Sequence, residues 1–304
     1  MKTINSISGG QTSSYIAVHY PADLNIFSCV CIDEPECAPK DAAIKAYATE
    51  KLSSYTRQYG DFIASAESDE TLRALMDLEQ LIGKEIVWTR GVSFDDLIDY
   101  KSTFGGENTR LPSWARRYCT TEMKILPIFY YWMRHFEGKV KMNLGFRSNE
   151  YDRMEGFFNN GHVGELKIPT ECSMKGSRRQ KHSTFLWRFC SFPLIRDQIS
   201  HEHIKDYWRK NGWIKANLFN ERRQIEFPRI SNCVGCFFKK AETLMVMANM
   251  HPEKMKWFAS QEEKGRGTWL DSGTKYQTFI DHSENWIPEM ITEIGSCKSG
   301  ECLD

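Results

Sequence analysis

Thr3-Ile4-Asn5-Ser6-Ile7-Ser8-Gly9-Gly10-Gln11-Thr12-Ser13-Ser14-Tyr15 decides how the rest of the chain is read. Thr3 to Ile7 predicts a short strand and Tyr15 to Tyr20 a helix. Between them, Gly9 and Gly10 let backbone N–H groups come close to an anion. The N-terminus of the coming helix adds donors and a favourable dipole, and Thr12, Ser13 and Ser14 add hydroxyls. The same residues also suit a plain tight turn with Ser/Thr capping. The loop has no Gly-Lys-Ser/Thr ending, so it is not a Walker A sequence, and it is not a G-x-G-x-x-G dinucleotide loop.

Outward from this stretch, strands and helices alternate. Asn25 to Ile32, Lys84 to Thr89, Lys139 to Phe146 and Phe192 to Ile195 read as strands. Helical spacing runs through Asp41 to Tyr59, then through Leu72, Leu75, Met76, Leu78, Leu81 and Ile82, and over Ser200 to Asn211. The expected fold is therefore α/β and doubly wound: a mostly parallel sheet with helices on both faces. The α/β domain is expected over 1–228, with a basic excursion over about 154–190. After Pro228 the character changes. Cys233-Val234-Gly235-Cys236 precedes helical runs at Ala241 to Met250 and Pro252 to Glu263, so 229–304 reads as a small helical, cysteine-containing C-terminal region packed on the first.

Composition narrows the function classes. Forty Lys and Arg balance forty Asp and Glu among 304 residues, which argues against a general polyanion-coating role. The balance fails locally, because Cys172 to Arg196 holds six basic residues and no acidic one. The apolar run Ile125 to Met133 is about half of the ~18 residues that suggest a membrane span. Met1 to Ser6 shows no hydrophobic signal core, so a cytoplasmic, membrane-free protein is expected. Ten cysteines in a reducing compartment point to metal, redox or sulfur chemistry rather than a disulfide scaffold.

Ser8-Gly9-Gly10-Gln11-Thr12-Ser13 resembles the PP-loop of ATP pyrophosphatases, and further segments resemble, in order, the branch that includes phosphoadenosine-phosphosulfate (PAPS) reductases. Cys31-Ile32-Asp33-Glu34 looks like the second-strand end whose acidic residue lies near the nucleotide. Arg117-Tyr118-Cys119-Thr120 with Lys124-Ile125-Leu126-Pro127-Ile128 is similar to a Cys-Thr…Lys-x-x-Pro-Ile element. Gly145-Phe146-Arg147-Ser148-Asn149-Glu150-Tyr151-Asp152-Arg153 resembles Gly-x-Arg-x-x-Glu-x-x-Arg, with Asn149 where relatives often carry Asp. Phe192-Pro193-Leu194-Ile195 with Tyr207-Trp208 looks like the late strand–helix unit. Cys233-Val234-Gly235-Cys236-Phe237-Phe238 matches Cys-x-Gly-Cys-Pro-Phe, with Phe237 in place of Pro. The resemblance runs from Ser8 to about Glu263.

It implies nucleotide binding by Ser8, Gly9, Gly10, Gln11, Thr12, Ser13 and Ser14, and cleavage of ATP to AMP and pyrophosphate. Arg147 and Arg153 would meet phosphate charge, and Asp33 would help hold Mg²⁺. Cys233 and Cys236 stand at metal-ligand spacing, and relatives pair such a C-x-x-C with a Cys-Thr element, here Cys119. A [4Fe–4S] cluster on these three is expected ahead of zinc, a redox dithiol or inert thiols, with Cys190 as a further candidate ligand. Cys29 and Cys31 read as core residues. Glu301-Cys302 resembles the tail that carries the nucleophile of PAPS reductases, although Leu303-Asp304 replaces Gly-Leu-His.

The leading expectation is an ATP-dependent activating enzyme in sulfur transfer. Its acceptor would be a nucleic acid, contacted by Lys175, Arg178, Arg179 and Lys181 with nearby aromatics. Its sulfur would come from a cysteine desulfurase. One alternative is an adenylyl-sulfate or PAPS reductase working through Cys302 with a thioredoxin-like reductant. The other is a non-catalytic nucleotide-binding or cluster-sensing component of a complex. His201 and His203, two apart at a helix start, are not expected to share a metal.

Overall fold

The first strand, β1 (Thr3–Ile7), seals Ile4 into one hydrophobic core and Ile7 into another. That period-2 division continues across the sheet: Ile26 and Phe27 part on β2 (Leu24–Ser28), as do Val87 and Trp88 farther along the chain. The computed structural model describes residues 1–104, 111–114, 116–159, 164–169, 182–211 and 233–283. Along it, α1 (Gln11–His19) follows β1. After β2 come β3 (Cys31–Ile32), α2 (Ala42–Thr56), β4 (Ala64–Ser65), α3 (Asp69–Ile82), β5 (Ile86–Thr89) and α4 (Phe94–Phe104). Then follow α5 (Tyr118–Thr120), α6 (Leu126–His135), β6 (Val140–Asn143), α7 (Tyr151–Asn159), and the antiparallel pair β7 (Glu165–Pro169) and β8 (His182–Leu186). The described chain ends with β9 (Arg188–Ser191), α8 (Pro193–Arg196), α9 (His201–Asn211), α10 (Ala241–Met250), α11 (Pro252–Glu263) and α12 (Tyr276–His282).

Five strands form one sheet in the order β5-β2-β1-β6-β9, and every pair is parallel. On one face Ile16, Ile44, Leu72 and Trp208 bring in α1, α2, α3 and α9; on the other Ile128 and Phe129 bring in α6. This is the doubly wound α/β arrangement the alternation predicts. Strand order reverses between β1 and β6, and in such sheets ligands bind outside the carboxyl ends of the strands at that reversal. The register there is pinned by three buried asparagines. Asn143 Nδ2 donates to Asn5 Oδ1 at 2.8 Å, and Asn5 Nδ2 donates to Asn25 Oδ1 at 3.0 Å, across three paired strands.

Several expected boundaries move, each for a local reason. The strand expected over Asn25 to Ile32 is two strands. The N–H of Val30 is taken by the carboxylate of Glu67 (3.1 Å), so the chain leaves the main sheet and β3 pairs instead with β4, antiparallel. The strand expected over Phe192 to Ile195 is the helix α8: Pro193 at its first position presets a helical φ, and the strand lies just before it as β9. The first helix starts four residues earlier than Tyr15, directly on Gly10. Asp41 caps α2, accepting from the Ala43 N–H at 2.8 Å, and Ser68 caps α3 by accepting from Thr71 N–H at 3.2 Å.

Between α5 and α6 the backbone widens into a π-helical turn over Thr121–Ile125. Pro127 has no N–H to give to the carbonyl of Met123, and that carbonyl accepts instead from Ser28 Oγ at 2.7 Å. The bond ties the turn to the end of β2. The C-terminal helices do not build a separate core among the described residues. Leu244, Met247, Met255, Phe258, Trp269 and Tyr276 share one cluster with Val30, Ile32, Phe94, Leu97 and Met123.

Candidate functional site

The glycine loop leaves the carboxyl end of β1. Gly9 has φ +76°, in the left-handed region, and a Cβ placed on it would lie 2.6 Å from Thr71 Cγ2 of α3. Glycine is therefore needed for both conformation and space. Gly10, the residue before α1, is extended (φ −89°, ψ 164°). Ser13 closes the loop: its Oγ accepts from Ser8 N–H at 3.1 Å, lies 3.0 Å from Ser8 Oγ and donates to Gly10 O at 3.1 Å. Trp208 of α9 donates its indole N–H to Gln11 O at 3.0 Å. Thr12, Ser13 and Ser14 are buried, and Ser14 Oγ has no hydrogen-bond partner among the described residues. The first turn of α1 carries no acidic residue, so nothing there opposes an anion.

Arg147 stands just beyond the carboxyl end of β6, across the strand-order reversal from the glycine loop. Its Nε binds Glu150 Oε2 at 2.7 Å, and its NH1 lies 3.3 Å from His201 Nδ1. Arg153 NH1 binds Glu150 Oε1 at 2.7 Å, and its guanidinium lies over the Phe146 ring, 4.3 Å from the centroid. Burial would raise the Glu150 carboxyl, but the Arg147 hydrogen bond and both guanidinium charges overcome it and hold it below its ordinary range. The trio therefore carries one net positive charge, not two.

Asp33 is exposed, and its N–H donates to Asp95 Oδ2 at 2.8 Å in the first turn of α4. Among the described residues no hydrogen bond or ion pair joins Asp33 to the glycine loop. His201 faces Arg147, whereas His203 Nδ1 accepts from Ser200 N–H at 3.1 Å, so the two imidazoles serve different partners.

Cys119, Cys233 and Cys236 line one cavity, with about 570 Å³ of empty space including its mouth. Its wall also holds Val30, Phe94, Arg117, Lys124, Phe238 and Trp269. Cys233 is placed by backbone pairing: it bridges Glu67 in antiparallel fashion, and Val234 N–H donates to Ala66 O at 2.7 Å. Cys119 sits on α5 just before the π-helical turn that carries Lys124. Burial pushes the Cys119 thiol up to about 11, with the charge of Cys236 adding to it, and burial followed by the charge of Glu67 pushes Cys233 well above its ordinary range. Burial would lower Lys124, but Cys233, Glu67, Cys236 and Cys119 together raise it, so its ammonium persists. Glu67 is itself raised, chiefly by burial; it accepts from Val30 N–H and from Ser65 Oγ.

Soft sulfur ligands are the expected donors for a thiophilic metal or cluster, and three cysteines share this cavity beside a cation. They share walls rather than a point: among the described residues no three His, Cys, Asp or Glu side chains stand ready to hold a single metal ion. Cys190 does not join them. It pairs opposite Met142 on β9, half-buried, three strand spacings (about 14 Å) from β2, whose end leads to Val30 in the cavity wall. Cys29, Cys31 and Cys37 are core residues, 0 to 1% exposed, as their alternation predicts for the first two. In the basic excursion, Arg188 is buried against Trp187 and Met142 rather than presented to solvent. Lys175, Arg178, Arg179, Lys181, Cys172, Cys297 and Cys302 lie outside the described residues.

Sequence reasoning missed Glu67 altogether and gave Lys124 no role beyond a motif match. Ala64-Ser65-Ala66-Glu67-Ser68 carries no signal for a buried carboxylate, because its partners come from β3's approach and from a turn over fifty residues away. No membrane-length apolar helix occurs among the described residues. In comparisons with protein-family models, curated proteins and solved structures, nothing matches the chain.

Proposed function

We propose that the protein is an ATP-dependent activating enzyme in sulfur transfer, with a nucleic acid as acceptor. The observation that carries this reading is a juxtaposition. The glycine loop leaves β1, the cysteine cavity lies beyond the end of the adjacent strand β2, and the first turn of α3 stands between them, with Thr71 against Gly9 and Glu67 bridged to Cys233. An anion cradle and a thiol-lined cavity at the carboxyl end of one sheet suit a reaction that joins phosphate chemistry to sulfur chemistry.

In this reading Ser8 to Ser14 cradle the phosphates, and Arg147 contributes the net positive charge of its cluster from across the reversal. An acceptor oxygen attacks the α-phosphorus of ATP and pyrophosphate leaves. The terminal sulfur of a persulfide on a desulfurase-type donor then attacks the activated carbon or phosphorus, and AMP departs with the oxygen; a second cysteine thiol attacks the donor sulfur, the acceptor leaves as its thiolate, and the disulfide left behind is reduced by an external thiol. Mg²⁺ would travel with the nucleotide, since among the described residues no hydrogen bond or ion pair ties Asp33 to the loop. Cys119, Cys233 and Cys236 would hold an iron–sulfur cluster, whose open iron supplies a binding position for sulfur.

The test is pyrophosphate release by anaerobically purified protein given ATP and DNA or RNA oligomers, with iron and zinc content measured alongside. Expected are oligomer-stimulated pyrophosphate release and iron that falls in Cys119→Ala, Cys233→Ala and Cys236→Ala. Stoichiometric zinc, or full iron in Cys119→Ala, overturns the cluster. Reduction of adenylyl sulfate by a thioredoxin-like donor without ATP turnover would establish a reductase instead. Nucleotide binding without pyrophosphate release would establish a non-catalytic component. Oligomer affinity is expected to fall with salt at a log–log slope of about −0.7 to −0.9 per phosphate contact, and to flatten when Lys175, Arg178, Arg179 and Lys181 are all replaced by Ala.

A further inference from the structure

One helix, α9, touches both the glycine loop and the arginine that stands across from it. His201, its first residue, lies with Nδ1 3.3 Å from NH1 of Arg147. Trp208, two turns on, donates its indole N–H to Gln11 O of the loop at 3.0 Å. The two contacts are about 10 Å apart along the helix. A single rigid element thus spans the strand-order reversal between β1 and β6.

The start of α9 is fixed by other bonds. Ser200 N–H donates to His203 Nδ1 at 3.1 Å, and His203 N–H donates to Ser200 Oγ at 3.4 Å, a reciprocal cap. Ser148 N–H, next to Arg147, donates to Ile199 O at 3.0 Å and ties the two segments together. His203 therefore caps the helix, whereas the imidazole of His201 meets the guanidinium.

The chemistry of that contact fixes the state of the ring. A guanidinium only donates, so Nδ1 accepts, the imidazole is neutral and its proton sits on Nε2. Arg147 is then held at two corners. Its Nε and backbone N–H bind Glu150 Oε2 at 2.7 and 2.9 Å, and its NH1 meets His201. The plane of the fork cannot turn without breaking one of these, and arginine recognises phosphate through that plane. A proton on Nδ1 would set N–H against N–H and add a positive charge to a cluster that already carries one. The charged groups around the contact are Arg147, Glu150 and Arg153; on α9 itself Glu202 adjoins His201 and Lys205 lies one turn on. Arg196 and Asp197 at the end of α8 pair with each other, and His19 of α1 stacks on Tyr207 in the second half of α9.

We propose that His201 is a positioning residue for the nucleotide: its neutral imidazole holds the Arg147 guanidinium in the plane that meets the phosphate chain on the glycine loop, and protonation of the ring releases it. This rests on the reading of Arg147 as a phosphate contact.

Calorimetric titration of the full chain with a non-hydrolysable ATP analogue tests the proposal in the parent, His201→Ala and His201→Asn. It is run at pH 8 and pH 5.5, on either side of the usual imidazole range. Asparagine keeps an acceptor near the place of Nδ1 and does not titrate. At pH 8 His201→Ala should bind about tenfold more weakly, the scale of one hydrogen bond to a charged group, and His201→Asn within about twofold of the parent. At pH 5.5 the parent should fall toward the alanine variant while the asparagine variant keeps its lead. Titration of the nucleotide itself is common to all three and cancels in their ratios. Circular dichroism verifies the fold at both pH values. Equal affinity of parent and His201→Ala at pH 8, no restoration by asparagine, or a parent-to-asparagine ratio that ignores pH each overturns the proposal; should His201→Ala not fold, that ratio decides alone. A parent that gains on the asparagine variant in acid would make His201 a phosphate ligand in its own right, which also overturns it. Pyrophosphate release measured in parallel separates the two readings. Release with His201→Ala binding like the parent removes only the role of His201, and the expected affinities without release remove the activating enzyme and leave that role standing.

Discussion

The glycine loop and the cysteine cavity are neighbours built by opposite means. The loop is made from seven consecutive residues whose hydrogen bonds are mostly to one another: Ser13 alone serves Ser8 twice and Gly10 once. The cavity is assembled from segments near residues 30, 94, 117–124, 233–238, 258 and 269, and its charge balance depends on Glu67, which does not line it. A site of the first kind is specified by local sequence and is sensitive to backbone conformation. A site of the second kind is specified by packing and is sensitive to the loss of a distant charge.

The sharpest way to break that contrast is Glu67→Ala. The carboxylate is 1% exposed, accepts from Val30 N–H and Ser65 Oγ, and its charge acts on the half-buried ammonium of Lys124. Removing it leaves those buried donors unsatisfied and takes away a carboxylate charge that favours the Lys124 ammonium, a loss of about 1–3 kcal/mol. Urea denaturation is expected to show this loss. In protein still folded at low urea, Cys119, Cys233 and Cys236 should react faster with a thiol reagent, while affinity for an ATP analogue at the loop changes little. Equal loss at both sites would show that the two regions form one unit.

Gly9→Ala probes the other side. A methyl group meets Thr71 Cγ2 at 2.6 Å, and the residue must hold φ near +76°. Strain and overpacking together are expected to cost about 1–3 kcal/mol. Affinity for the ATP analogue should drop, and thiol reactivity in the cavity should stay as it was. Gly10→Ala is the control: its backbone is extended, a conformation alanine adopts freely, so stability should change by less than in Gly9→Ala. Reversal of that order in denaturation midpoints would mean that the loop is held differently.

What the sequence discloses follows the same division. The loop, the Asp41 cap, the strand–helix alternation and the apolar faces of α3 and α9 could be read directly, because their causes lie within a few residues. The break after Ser28 could not, because it is caused by a carboxylate at position 67. Nor could the π-helical turn, although Pro127 hints at it, because the displaced Met123 carbonyl finds its donor at Ser28. Phe192 to Ile195 was ambiguous in principle: a short apolar run fits strand and helix alike, and only the preset φ of Pro193 separates them. The grouping of Cys119 with Cys233 and Cys236 came from family resemblance, not spacing, and it is where the structure brings distant residues together most usefully. The position of Cys190 just before Phe192 says nothing about which edge of the sheet its strand occupies.

The smallest expected effect concerns a third contact between the two regions. His251, at the start of α11, lies with its Nε2 3.4 Å from Glu70 Oε2 in the first turn of α3. Lys254, one turn on, reaches Asp69 Oδ1 at 3.1 Å. Glu70 and Asp69 favour a charged imidazole, while Lys254 and Lys239 oppose it; burial exceeds all of them and holds His251 below its ordinary range. The sign follows from linkage. Near pH 6.5 the unfolded chain begins to take up a proton that the folded protein refuses, so stability is fully present above that pH and is lost as pH falls through the lowered folded value. The slope in this window is that of a single proton, about 1.4 kcal/mol per pH unit at most. His251→Gln keeps the polar contact and cannot titrate. Its stability relative to the parent is therefore expected to rise as pH drops from 7 toward 5, and the difference should level off above pH 7. A difference that stays flat across the range would place His251 in solvent. A parent stabilised by acid would mean that Glu70 outweighs burial, and the contact of α11 with α3 would then be an ion pair rather than a neutral packing.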